Sequence, residues 1–170
     1  LAGVLALLMT LSATACGEAT PKPTPIQSIP TGSLFAGVIG IIDSSNHGWP
    51  REVEGLNGKV TIAAKPQRII TASVGHDEIT YALVPPNRVV AVGSASQDPT
   101  YSNVYDLAKD ATVITSDPEV LIAQNPDVIV TSPYLRPETV DALINIGVPV
   151  VQTELVSDIK DQIASILLMG

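Results

Sequence analysis

From residue 49 onward the chain alternates between short unbroken apolar runs and stretches whose apolar positions recur at helical spacing. Residues 51–54 and 59–63 are β-prone and flank Gly55-Leu56-Asn57-Gly58, where Asn-Gly favours a tight hairpin turn. After Lys65-Pro66-Gln67, residues 68–71 read as a short apolar strand. A helix is predicted over 76–83, with Ile79, Ala82 and Leu83 on its inner face. Strand 89–92 ends in Gly93-Ser94, and 112–115 reads as a third strand. Asp117 is placed to cap a helix over 118–124, with Pro118 at its first position and Glu119 in its first turn. Strand 128–130 follows, then a helix over 137–146 stopped by Gly147. Residues 148–151 form the last strand, and Ser157 is expected to cap a final helix running to Met169. Apolar strands separated by amphipathic helices predict an α/β fold, a doubly wound and mostly parallel sheet, here preceded by a β-hairpin.

The residues ahead of 49 follow other rules. Residues 1–15 carry no charge and are dominated by Leu, Ala, Val and Met. They are too few for a membrane span, which takes about 20 residues, and match the apolar core of a secretory signal. The sole cysteine, Cys16, follows Ala13-Thr14-Ala15 and precedes Gly17, which resembles the bacterial lipoprotein cleavage box, with Ala13 in place of the usual Leu. Lipidation at Cys16 and anchoring to a membrane are therefore expected. Residues 16–48 read as a tether, rich in Pro, Thr and Ser over 18–33. The domain division expected is thus 1–15 signal peptide, 16–48 lipidated cysteine and tether, and 49–170 α/β lobe. The apolar run 34–42 has no assigned role on sequence grounds.

Composition narrows the function. Of 170 residues, 45% are hydrophobic and 15% charged, which excludes an intrinsically disordered chain. Nine basic against seventeen acidic residues give a net charge of -8, so a phosphate backbone is repelled and no nucleic-acid partner is expected. One cysteine and two histidines furnish neither a disulfide framework nor a Cys- or His-rich metal site, so no metal site and no cofactor are expected. Neither a phosphate-cradling glycine loop nor a G-x-S-x-G nucleophile elbow is present.

In parallel sheets ligands bind beyond the carboxyl ends of the strands. That rule nominates Ser73 and His76, Ser94 and Ser96, Ser132 and Tyr134, and the pair Gln152-Thr153, while Arg88 falls at the opposite edge. Tyr134 and Arg136 offer an aromatic ring and a guanidinium for an organic ligand. Tyr101 and Tyr105 stand four apart, spaced to share a helical face or flank a ligand. Ser73 and His76 place a hydroxyl near an imidazole, but Asp77 is too close in sequence to orient the ring as a triad would require.

The order of segments then becomes informative. Trp49-Pro50-Arg51, Gly58-Lys59-Val60-Thr61-Ile62 and Lys65-Pro66-Gln67-Arg68-Ile69-Ile70 resemble the entry into periplasmic-binding proteins for iron–siderophore and cobalamin uptake. The run from Asp117 to Val130, with Pro126-Asp127 before apolar residues, is similar to that family's helix-to-strand signature. Leu143 to Val151, with Gly147-Val148-Pro149-Val150, resembles the segment that follows it. The similarity covers residues 49–170. It implies a lobe of a two-lobed solute-binding protein of an ABC importer, with the chain as the N-terminal lobe. It also implies a ligand of the iron-chelate or corrinoid class, an ABC permease as partner, and a location outside the cytoplasm at the outer face of the membrane. By the same resemblance Glu119 matches the acidic residue that docks on the permease. Leu83-Val84-Pro85-Pro86 departs from the family's usual Leu-Gly at this helix end, and no basic cluster for an anionic siderophore is evident. An enzyme on the same scaffold, or a surface or signalling module that does not transport, is the alternative.

Overall fold

The computed structural model describes residues 35–115 and 117–170. Cys16, the apolar segment 1–15 and most of the tether lie outside the described residues.

Two strands, β1 (Arg51–Gly55) and β2 (Gly58–Ile62), pair antiparallel with Gly55 opposite Gly58. Gly58 takes φ 94, a left-handed conformation open to glycine at no steric cost. Five strands make the main sheet: β3 (Ile69–Thr71), β4 (Val89–Val92), β5 (Thr112–Val113), β6 (Val128–Thr131) and β7 (Val150–Gln152). Their spatial order is β5-β4-β3-β6-β7, and every pairing is parallel. The helices are α1 (Val74–Leu83), α2 (Tyr105–Ala108), α3 (Pro118–Ile122), α4 (Pro137–Asn145) and α5 (Ile159–Met169). Short 3-10 turns occupy Pro86–Arg88 and Ser94–Gln97.

The sheet is apolar on both faces because helices cover both. Ile70, Ala91, Ile129 and Val150 pack with Leu121, Leu135, Val140 and Leu143. A second cluster joins Tyr81 of α1 and Ala108 of α2 to Val89 and Val92. Ala91 and Val92, adjacent in β4, belong to different clusters, as side chains alternating across a strand should.

Side chains between distant segments lock the sheet to its surroundings. Asp127, in the Pro-Asp signature, accepts the backbone N–H groups of Gln67 at 2.6 Å and Arg68 at 3.0 Å. Arg68 returns the favour by donating Nε to the carbonyls of Gln124 and Asn125, at 3.0 and 2.9 Å, just past α3. A cation on the last carbonyls of a helix satisfies groups that the helix leaves unpaired. At the other sheet edge, Asn57 Nδ2 donates to the Val150 carbonyl at 2.8 Å and Asn57 Oδ1 accepts from Gln152 N at 2.9 Å. Leu56 N donates to the Gln152 carbonyl at 2.7 Å, so the hairpin tip covers the exposed edge of β7. A Cβ at Gly55 would stand 2.8 Å from the Gln152 carbonyl oxygen, which only glycine avoids.

Several expectations shift. On α1 the buried residues are His76, Asp77, Ile79, Thr80 and Tyr81, while Ala82 and Leu83 are exposed. The helix meets the strand ends through hydrogen bonds as well as apolar contact, so its inner face is partly polar. Tyr101 lies in the turn before α2 and Tyr105 begins it, so the two do not share a helical face. Asp158, rather than Ser157, caps α5: its carboxylate accepts from Asp161 N at 2.8 Å. Ser157 instead donates to Asp161 Oδ2 at 2.6 Å. Residues 148–149 precede β7 rather than belonging to it. The run 34–42 gains a role in its described part: Ile41 bridges Val53, and Glu54 N donates to the Gly40 carbonyl at 2.8 Å. Residues 40–41 thus pair with β1.

Candidate functional site

Strand order decides where a ligand fits. From β3 the chain moves outward through β4 to β5, then returns to place β6 on the other side of β3 and β7 beyond it. The connections after β3 and β6 thus leave in opposite directions, opening a crevice at their carboxyl ends. Ser73 follows β3 and Ser132 follows β6, one on each side of that crevice.

Ser73 is the N-cap of α1, in extended backbone (φ -154, ψ 153), and its hydroxyl accepts from His76 N. The same hydroxyl lies 2.7 Å from His76 Nδ1, and His76 Nε2 lies 2.8 Å from the Thr153 hydroxyl. The imidazole is therefore strapped between the start of α1 and the residue after β7. Burial holds its pKa below the usual histidine value, so the ring is neutral at physiological pH. Neither ring nitrogen faces a carboxylate; the neighbouring Asp77 carboxylate turns instead to Thr71, Gly93 and Ser96.

Ser73, His76, Ser132 and Tyr134 border one shallow cavity of about 180 Å³ at this edge. Tyr134 is 79% exposed, its ring free for a ligand face, whereas Ser132 is 4% exposed and lines the base. Gly75 and Ile79 of α1 also line it, and the remaining wall comes from five residues, Glu154, Leu155 and Val156 after β7 and Gln162 and Ser165 of α5. The segment Glu154, Leu155 and Val156 also borders an adjoining groove of about 510 Å³ under the hairpin tip. None of these five residues is legible as a site residue in the sequence. They follow a strand whose end was recognised, but α5 folds back over that end only in three dimensions.

The other nominated residues are placed differently. Ser94 is exposed and stands in the turn after β4, away from the cavity lining. Ser96 is fully buried with its hydroxyl given to Asp77, so it serves the floor of the edge rather than its surface. Tyr101 is 74% exposed and does not border the cavity. Arg136 is exposed at the N-terminus of α4, outside the lining. Glu119 is exposed in the first turn of α3, whose start faces the same edge because a helix after a parallel strand begins at the strand's carboxyl end. Asp117 caps that helix as expected, accepting from Glu119 N at 2.9 Å.

A second cavity, about 350 Å³, lies between the hairpin and the sheet face formed by Val128, Val130 and Val151, with Arg88 and Lys65 at its rim. It is larger, but it flanks the sheet instead of opening at the strand ends, so the site is placed at the crevice. Among the described residues no group of three or more His, Cys, Asp and Glu side chains is positioned to hold a metal ion. Nor, among them, is any helix long and apolar enough to cross a membrane. The crevice offers hydroxyls, one exposed aromatic ring and apolar walls, a surface for holding an organic ligand by shape and a few polar contacts.

No protein-family model matches the chain, and no curated protein matches it. Solved structures do. The heme binding protein HmuT superposes over 79% of this chain and 46% of its own, with 17% identity and a TM-score of 0.58. Holo-ViuP superposes over 70% of this chain and 43% of its own, with 21% identity and a TM-score of 0.55. The fold is theirs. It is an α/β fold with a parallel sheet, as the alternation of apolar strands and helices implied. The chain spans less than half the length of either matched structure.

Proposed function

We propose that this chain is the ligand-capturing N-terminal lobe of an extracytoplasmic solute-binding protein, serving an ABC importer and taking an iron chelate, a haem or a corrinoid. The observation that carries the reading is the crevice between β3 and β6. It combines hydroxyls, the exposed Tyr134 ring and apolar walls, within a fold shared with a heme binding protein. A chelate whose metal is already wrapped in organic ligands needs no coordinating side chains, only such a surface. Cys16 is the proposed lipidation point, and Glu119, exposed at the same edge, the proposed contact with the permease. The opposite wall of the ligand cleft would come from a second lobe.

Calorimetric titration of the full-length protein with ferric siderophores, haemin and cobalamin tests the reading. A saturable isotherm with one ligand class is expected. Flat isotherms across the whole panel would overturn it. Trp49 is unsuited as a fluorescent reporter, because it borders the cavity beside the hairpin rather than the crevice.

A further inference from the structure

Behind Ser73 and His76 lies a carboxylate that no ligand in the crevice would touch. Asp77 is fully buried, in the first turn of α1. It accepts hydrogen bonds from the Thr71 hydroxyl, the Ser96 hydroxyl and, at 2.8 Å, the Gly93 N–H. Thr71 ends β3, Gly93 follows β4, and Ser96 belongs to the turn beyond it. One side chain thus joins two strand ends, a turn and the start of a helix. Every segment it grips carries a nominated binding residue: Ser73 and His76 flank α1's start, and exposed Ser94 sits between the two gripped residues Gly93 and Ser96.

An apolar residue of similar size would pack here at less cost than a buried charge. What an ionised carboxylate supplies instead is orientation, since hydrogen bonds to a charged acceptor are roughly twice as strong as neutral ones. We propose that Asp77 is the positioning residue of this binding edge: its carboxylate holds the ends of β3 and β4 and the start of α1 in the one arrangement that ligand meets. The inference deepens the binding reading above and rests on it only for its ligand arm.

Burial pushes the Asp77 carboxyl up to about 6, against the pull of the Ser96, Thr71 and Gly93 hydrogen bonds. Glu78 on the same helix adds to the rise, and Tyr81, one turn on, feels the Asp77 charge in return. The partners facing Asp77 from β3 and from the turn after β4 are the uncharged groups Thr71, Gly93 and Ser96. His76, preceding it, is committed to Ser73 and Thr153. Protonation of Asp77 would therefore turn charge-assisted bonds into neutral ones and relax the edge.

The test compares the full-length protein with its Asp77→Asn variant, which keeps the size and one acceptor oxygen, for Gly93 and Ser96, while the amide NH2 that replaces the other oxygen can donate to the Thr71 hydroxyl, and the charge is lost. Amide resonances of Gly93, Ser94, Ser73 and His76 are followed by NMR from pH 5 to 8 without ligand. All four are expected to titrate together near the Asp77 midpoint in the wild type and to stay flat in the variant. Titration of Gly93 alone, or a titration that persists in Asp77→Asn, overturns the positioning role. In the ligand arm, haemin is the probe. Its dissociation constant is expected to rise about tenfold between pH 7.5 and 5 in the wild type, and to hold the weaker value at all pH in Asp77→Asn. Equal pH profiles for the two proteins also overturn the proposal. Failure of haemin to bind the wild type at any pH counts against the haem reading of function, and the amide titration still decides the role of Asp77.

Discussion

At Asp77 two demands meet in one side chain. Desolvation favours the neutral acid, three donors favour the carboxylate, and desolvation wins, raising the pKa from 3.8 to about 6. A folded-state value above the unfolded one means that the group's contribution to stability is full below about pH 4 and is lost as pH rises through about 6. The difference corresponds to about 3 kcal/mol at neutral pH. Asp77→Asn should therefore be at least as stable as the wild type above pH 7, and denaturant melts from pH 4 to 7 should lose the downward slope due to this group. A variant less stable than wild type at pH 8 would contradict that balance. A buried charge kept against stability is what a positioning role requires. His76 illustrates how far the sequence reaches at this scale. Its contact with Ser73 lies within one turn and was visible, whereas its second partner, Thr153, is 77 residues away and was not.

Among the elements, the hairpin shows how a local signal acquires a distant use. Asn57-Gly58 was legible as a turn because the left-handed conformation of Gly58 is a property of the residue itself. That the Asn57 amide also substitutes for a missing strand beside β7 depends on where the hairpin docks. Asn57→Ala should leave the turn but remove both bonds, lowering stability by about 1 to 3 kcal/mol. Hydrogen exchange should accelerate at the Gln152 amide, which donates to Asn57 in the wild type; unchanged protection there would count against the docking role. Helix α3 supports a different prediction. Glu119 is exposed and its first-turn position leaves the crevice untouched. Glu119→Arg is expected to preserve ligand affinity by calorimetry and to abolish uptake in cells; normal uptake would remove the permease assignment. On α5 the amphipathic reading was incomplete. Ile159, Ile163 and Ile166 are exposed, while Gln162 and Ser165 border the cavity, so polar residues serve the site from the helix's inner side.

For the molecule as a whole, the alternation of apolar strands and helices was enough to specify a parallel α/β sheet, and the carboxyl-end rule was enough to place four of the nominated residues at one cavity. Both inferences rely on local spacing: a run of apolar residues becomes a buried strand, and Ser, Asp or Pro at a helix start acts within three or four positions. The spatial order β5-β4-β3-β6-β7 was not legible, because each strand is apolar enough to pair with any other and the order emerges from how the helices pack. The same limit explains Ser96 and Glu154. Ser96, nominated beyond a strand end, is buried against Asp77, 19 residues earlier; Glu154, which drew no reading from the sequence, borders the crevice. What the sequence by itself determined is the set of elements and their parallel arrangement, and with it the edge where the candidate residues gather, since these follow from periodicity and backbone preference. What only the tertiary structure decided is which side chains border the cavity and which are buried beneath it, since burial and hydrogen-bond partners depend on residues far apart in the chain.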